Sequence, residues 1–471
     1  MTIGGITMNR LKNSLFYQFL IRLDGTLCSW WNNSFFGRWL TCQDPQRSVF
    51  TPARQLAPRV RGLLSRALGW FPMPGFPLPM ILAAAALLLA PVLPDKAVMI
   101  LVCLSTGFAV LMLAADREAR LTPAPLNAHI SLYAFVVFFS TVTSVDFSGS
   151  LLRGMMFVVF VLFFYNVTSC GLERHLSRLL WLFLAVSLCV SLYGLYQYCH
   201  PEQYGDVWSD SDMFSTISVR VYSTLENPNI LGEYLLLVIP LACAMLLAAD
   251  NWKKRIACLT VVAVTGVCLL LTYSRGGYLG ILFAAAVFLV LLDRRFLFLG
   301  LVAVALCPLY LPESVIARFT SIGNLADSST SYRVKIWLGS LAMLKDFGFS
   351  GVGFGSKAFN AIYPAYAMHG VYTIHAHNLF LQILCDSGIV GLLVFLGLIV
   401  SFYRMMLTAI RHEADRRARI MQISCVSAVS GFLLQSLTDH NFYDYRIVLL
   451  FFGMLGLGVL FTRMGRQEDA A

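Results

Sequence analysis

The stretch His375-Ala-His377-Asn378-Leu-Phe-Leu-Gln-Ile-Leu-Cys-Asp386-Ser-Gly388-Ile-Val-Gly391-Leu-Leu-Val-Phe-Leu-Gly-Leu-Ile-Val-Ser-Phe-Tyr403 decides the fold class. From Asn378 to Tyr403 it holds one charged residue, Asp386. It exceeds the ~20 apolar residues a helix needs to cross a bilayer. Similar runs recur at about 78–94, 97–114, 127–144, 151–168, 177–199, 229–249, 256–273, 278–292, 296–311, 420–437 and 446–462. With 58% hydrophobic and 13% charged residues in 471, the chain is excluded from the ordinary soluble class. The expected fold is all-α: a polytopic membrane protein of about 12 transmembrane helices, with a large extracytoplasmic loop between spans 9 and 10.

The net charge of +10 is a topology signal. Basic residues concentrate in alternate hydrophilic segments: Arg117 and Arg120, Arg174 and Arg178, Lys253 to Arg255, Arg294 and Arg295, and Arg404 through Arg419. Counted by side, about 25 Lys and Arg fall with this set and about 10 on the other. Both termini are therefore expected in the cytoplasm, and no nucleic-acid module is recognisable. The twelve cysteines lie mostly singly in apolar runs without a Cys-x-x-Cys, so a disulfide framework or cysteine zinc site is not expected. No cleavable signal peptide is evident.

The expected organisation is a basic cytoplasmic tail over 1–77, spans 1–9 over 78–311, an extracytoplasmic lobe over 312–377, spans 10–12 over 378–463, and a cytoplasmic tail over 464–471. In the first tail Phe16, Phe19, Leu20, Leu23 and Leu27 are spaced as one helix face, which fits a surface-lying helix as well as a loosely ordered tail. The 312–377 loop is long enough to be functional. It holds Ser331-Tyr332-Arg333 and Trp337 on a helical pattern, then Gly351-x-Gly353-x-Gly355-Ser-Lys357.

Several polar residues fall on the outward side. Arg275, in Thr272-Tyr-Ser-Arg275-Gly276-Gly277, sits in a short hairpin between two spans. An arginine there either anchors at the interface or binds an anion, for which a guanidinium fork suits phosphate oxygens. Arg220 and Arg333 fall on the same side, Arg333 reading either as a solvated charge or as a second anion contact. His377 opens the apolar run and either caps a helix or acts as a base titrating near neutrality. The two-residue spacing of His375 and His377 is poor for a metal. Asn227-Pro228-Asn229 reads as a helix start whose asparagines can also reach a ligand. Asp439-His440-Asn441 either lines a cavity or ends two helices. Asp210-Ser-Asp212 is a weak metal signal. The glycine-rich segment lacks Walker spacing and reads as a turn, with phosphate contact from its N–H groups as the other reading.

Taken together, Arg220…Asn227-Pro228-Asn229, Ser274-Arg275-Gly276-Gly277, Arg333 with Trp337, Gly351-x-Gly353-x-Gly355 and His377-Asn378 resemble the O-antigen ligase and O-antigen polymerase superfamily of membrane glycosyltransferases. The resemblance spans roughly 75–460, and its most specific part is His377, Asn378, nine residues, Gly388, two residues, Gly391. It implies an undecaprenyl-diphosphate-linked glycan donor and an acceptor that is lipid A–core for a ligase or another carrier-linked glycan for a polymerase. It further implies transfer at the outer face of the cytoplasmic (inner) membrane among membrane lipids, without cofactor or metal, and with inversion. Under it His377 is the expected base, Arg275 and Arg333 the expected diphosphate contacts. Arg220, Asn227, Asn229, Asn378, Gly353 and Gly355 are the expected substrate contacts. A transporter of a small anion or lipid-linked glycan is the competing class, disfavoured because no repeat is visible and the polar residues gather at one rim.

Overall fold

The computed structural model describes residues 15–34, 37, 78–115, 121–204, 219–323 and 328–468. Asp210, Asp212, Arg117 and Arg120 lie outside them. The described residues form seventeen α-helices, short 3-10 turns and no strand. In order they are α1 (Leu15–Asn33), α2 (Leu78–Leu89), α3 (Asp95–Ala115), α4 (Asn127–Val142), α5 (Phe147–Ser169) and α6 (Leu176–Cys199). There follow α7 (Pro201–Tyr204), α8 (Pro228–Ala248), α9 (Trp252–Leu271), α10 (Arg275–Asp293), α11 (Arg295–Leu306) and α12 (Glu313–Thr320). The chain ends with α13 (Ser328–Phe347), α14 (Ser356–Ile362), α15 (Leu379–His412), α16 (Arg416–Gln435) and α17 (Tyr445–Glu468).

Each of the twelve predicted apolar runs falls on a helix. Among the described residues, seven helices are long and apolar enough to cross a membrane: α5, Leu172–Cys199 including α6, α8, α9, α10, α15 and Tyr445–Met464 within α17. The protein is a polytopic, all-helical membrane protein. Shorter apolar helices are α2, α4 and α11, and the charged start of α16 (Arg416, Arg417, Arg419) dilutes its hydropathy. The expected count of twelve thus rests on five helices outside the set of seven.

Helix starts follow the chemistry of their caps. Asp146, Asn227, Asn251, Ser274, Asn378 and Asp415 each accept a backbone N–H of the turn they precede, satisfying donors left over at a helix N-terminus. The core lies around α8, α16 and α17. α16 packs on both α8 and α10. At its crossing with α10, Gly431 meets Gly280 so closely that a Cβ on Gly431 would stand 2.7 Å from the Gly280 carbonyl oxygen. Small residues at such crossings let backbones approach.

A second close approach shapes α15. At Gly388 the backbone leaves the helix (φ 66°, ψ −169°), a conformation that is essentially confined to glycine. The Gly348–Gly353 loop threads into this break. Val352 N donates to Cys385 O at 2.8 Å, Gly353 N to Asp386 O at 3.0 Å, and Ile389 N to Gly348 O at 2.9 Å. A Cβ on Gly388 would overlap the Phe349 carbonyl, and one on Gly351 would overlap that of Asp386. The loop lobe is therefore joined to α15 backbone to backbone. Gly388→Ala should destabilise the protein by about 1–3 kcal/mol from backbone strain alone, seen as a lowered thermal midpoint in detergent. Gly397→Ala, whose added methyl meets only His129 Cδ2 at 3.8 Å, should leave that midpoint near the parent's.

Candidate functional site

Asp439, buried in the turn between α16 and α17, gathers two distant segments. Its Oδ1 accepts from His377 Nδ1 at 3.3 Å and from His440 N at 2.9 Å, while Oδ2 accepts from Asn229 Nδ2 at 3.0 Å. Asn229 Oδ1 accepts in turn from Arg220 Nη2 at 3.3 Å, and Arg220 Nε donates to Thr272 O at 3.2 Å. A continuous polar chain thus runs from His377 to Arg220.

The start of α15 is fastened so that His377 points at this carboxylate. Asn378 caps Leu381 N at 3.0 Å and donates to Leu437 O at 2.9 Å, and Leu379 N donates to Ser436 O at 2.8 Å. Gln382 Oε1 accepts from Ala376 N at 2.7 Å, and His375 Nδ1 accepts from His377 N at 3.3 Å. His377 itself is held at φ 47°, a left-handed conformation that is costly for a residue with a Cβ. That turn aims its carbonyl at Trp337 Nε1, 3.4 Å away. The ring, with Tyr332 edge-on at 6.1 Å, stays 24% exposed and so remains reachable. With Nδ1 engaged by Asp439, Nε2 is the nitrogen left to meet a ligand.

Arg275 opens α10 behind the Ser274 cap. Gly276 lets this start abut α16, since a Cβ there would lie 2.8 Å from Thr438 Oγ1. Arg275 Nη1 donates to Ser321 O at 3.2 Å and Thr330 Oγ1 at 3.3 Å. Arg333 Nη1 donates to Ser329 Oγ at 2.7 Å, and its buried Nε has no hydrogen-bond partner among the described residues. A fourth arginine completes the group: Arg318 on α12, buried, with Nε donating to Tyr273 O at 3.1 Å. Burial, then the charges of Arg318, Arg333 and Arg275, push Arg220 down to about 9. The other three guanidinium groups therefore lie within electrostatic reach of Arg220.

Not every expected contact faces this site. Asn378 commits both ends of its amide to the α15 cap and Leu437, so it positions the helix rather than presenting a free amide to a ligand. Gly353 gives its N–H to Asp386 O, and a side chain there would collide with Ser144, so it serves backbone threading. Gly355 lines an adjoining cavity of about 100 Å³ with Arg153, His375, Gln382, Asp386 and His440. Asn227 caps α8, accepting from Asn229 N at 2.8 Å and donating to Tyr443 Oη at 3.1 Å, so it acts through Asn229. Asp439, read in sequence as either cavity lining or a helix end, is the node. Arg318 escaped notice altogether, because a lone arginine on a short amphipathic stretch gives no signal in sequence.

Burial alone would raise the Asp439 carboxyl, but the His377 hydrogen bond and the Arg333 charge outweigh it and hold it well below its ordinary range. Burial and the neighbouring His377 charge push His375 down to about 4, and burial with the His375 charge also lowers His440. Both rings are neutral when folded but take up a proton near pH 6.5 when unfolded. Between about pH 4 and 6.5 the unfolded chain then binds more protons, so stability falls as pH falls through this window. The thermal midpoint in detergent should drop between pH 7.5 and 5, and less steeply in His375→Asn.

Residues 259–396 match the family model described as O-antigen ligase. The match contains Arg275, Arg318, Arg333, His377 and the Gly388 break, and leaves Arg220, Asn229 and Asp439 outside. It supports the O-antigen ligase and polymerase superfamily for this chain. No curated protein matches it.

Proposed function

We propose that this O-antigen ligase-type chain transfers a glycan from an undecaprenyl-diphosphate carrier to an acceptor hydroxyl, with His377 as the base. The observation that supports this most is the pairing of His377 with a buried Asp439 that also feels the Arg333 charge. The likeness to that family over residues 259–396 implies a lipid-linked glycan and a glycan acceptor. Such a donor needs a proton acceptor on one side of the anomeric carbon and anion stabilisation on the other.

In this reading Asp439 keeps the proton of His377 on Nδ1, so Nε2 receives the acceptor hydroxyl's proton as its oxygen attacks the anomeric carbon. The bond from that carbon to the diphosphate oxygen breaks, and the electron pair leaves with the lipid diphosphate. Arg275 and Arg333 take up the growing negative charge, with Arg220 and Arg318 behind them. One displacement from the face opposite the leaving group inverts the anomeric centre. The arginines do this work without a metal ion. The site opens outside the cytoplasm in this proposal, with both termini inside. The lobe between α11 and α15 supplies Arg333, Tyr332 and Trp337 to it.

The acceptor separates ligase from polymerase. Purified protein given carrier-linked glycan with lipid A–core should make one capped product if it is a ligase. A ladder formed from carrier-linked glycan alone identifies a polymerase. His377→Ala should slow transfer by about 10²–10⁴-fold, and Arg275→Ala or Arg333→Ala by about 10²–10³-fold, with the protein still folded. Undiminished transfer by His377→Ala would remove it as the base.

A further inference from the structure

A second cluster stands apart from this site, where α1 docks on the bundle. Asp24 and Cys28, one turn apart on α1, face His129 at the start of α4. Arg404, far along α15 from Leu379, pairs with Asp24 there. The 25 steps from Leu379 to Arg404 span about 35–40 Å at helical rise, so this is the opposite end of α15 from His377.

One ligand atom from each of Asp24, Cys28 and His129 lies within 4.8 Å of the others. His129 is 1% exposed, and its Nε2 stands 3.2 Å from Asp24 Oδ1. That distance allows a hydrogen bond, yet both atoms are buried without a hydrogen-bond partner among the described residues. The two groups therefore approach each other without being aligned donor to acceptor. Ligands bound at 2.0–2.1 Å around a tetrahedral ion sit ~3.3 Å apart, which is this separation. Cys28 Sγ, whose contact with Pro125 O is a long 3.6 Å, completes a triangle of carboxylate, imidazole and thiol.

We propose that Asp24, Cys28 and His129 form a zinc(II) site that clamps α1 to the membrane bundle. The donor set selects the ion. Thiolate and imidazole suit zinc and are poor ligands for calcium or magnesium. Arg404 donates to Asp24 Oδ2, holding the carboxylate so that Oδ1 is the coordinating atom, as outer-shell partners of metal ligands do. On binding, the Cys28 thiol gives up its proton, and thiolate plus carboxylate neutralise the ion's two charges. A water completes four-coordination. The clamp ties a segment near the start of the chain to α4 directly and to α15 through Arg404. It is independent of the transfer chemistry.

Untagged full-length protein, stripped with chelator and titrated with zinc(II) against a chromophoric chelator, should bind one ion per chain. Cobalt(II) in its place should show a thiolate-to-metal charge-transfer band. Cys28→Ala should abolish the band and weaken zinc binding by at least about 100-fold. Cys28→His, which keeps a ligand but no sulfur, should restore zinc binding without the band. A plain Asp24–His129–Arg404 ion pair predicts indifference to Cys28. Absence of equimolar binding by the parent chain, or equal binding by Cys28→Ala, overturns the proposal.

Discussion

The buried carboxylate of Asp439 is the constraint around which this end of the molecule is organised. A carboxylate taken out of water costs several kcal/mol unless charges and hydrogen bonds replace its hydration. Here the replacements come from residues 229, 377 and 440 and from the Arg333 charge. Each such partner must stay in place for the charge to stay buried. Asp439 therefore couples the start of α8, the loop before α15 and the α16–α17 turn. Removing it would free the His377 ring and leave Asn229 holding Arg220 from one side only.

The backbone makes that arrangement reachable. Three close contacts meet at glycines: Gly280 against Gly431, Gly276 against Thr438, and Gly351 against Gly388. The first two bring the α10 start, with Arg275, against the turn leading to Asp439. The third pins the loop lobe, with Arg333 and Trp337, to the helix that begins just after His377. The nine-residue interval between Asn378 and Gly388 thus has a mechanical meaning. It is the helical run between a cap that orients His377 and a break that receives the lobe.

Charge is divided between the two ends of the bundle. At one end Arg220 feels the like charges of Arg318, Arg333 and Arg275. Like charges held close together in partly buried surroundings fit a multiply charged anion. Arg446 is paired there with Asp444, and the opposite end matches Asp24 with Arg404 and Arg463 with Glu173. Stability is served there by neutralisation.

The apolar runs determined the helical membrane class and the position of nearly every long helix, because burial in lipid demands length and hydropathy that composition displays directly. His377, Arg275, Arg333 and Arg220 stood out as well, since polar groups at helix ends within apolar sequence are conspicuous. Only the tertiary structure decided what they meet. Asp439 lies 62 positions from His377 and Arg318 lies 98 from Arg220, and no local pattern encodes such pairings. Asn378 and Gly353 show the converse. Their motif was legible, but whether an amide or N–H faces a ligand or another strand of the same chain depends on which hydrogen bonds the fold has already filled. Sequence displays the donors and acceptors, and folding assigns their partners.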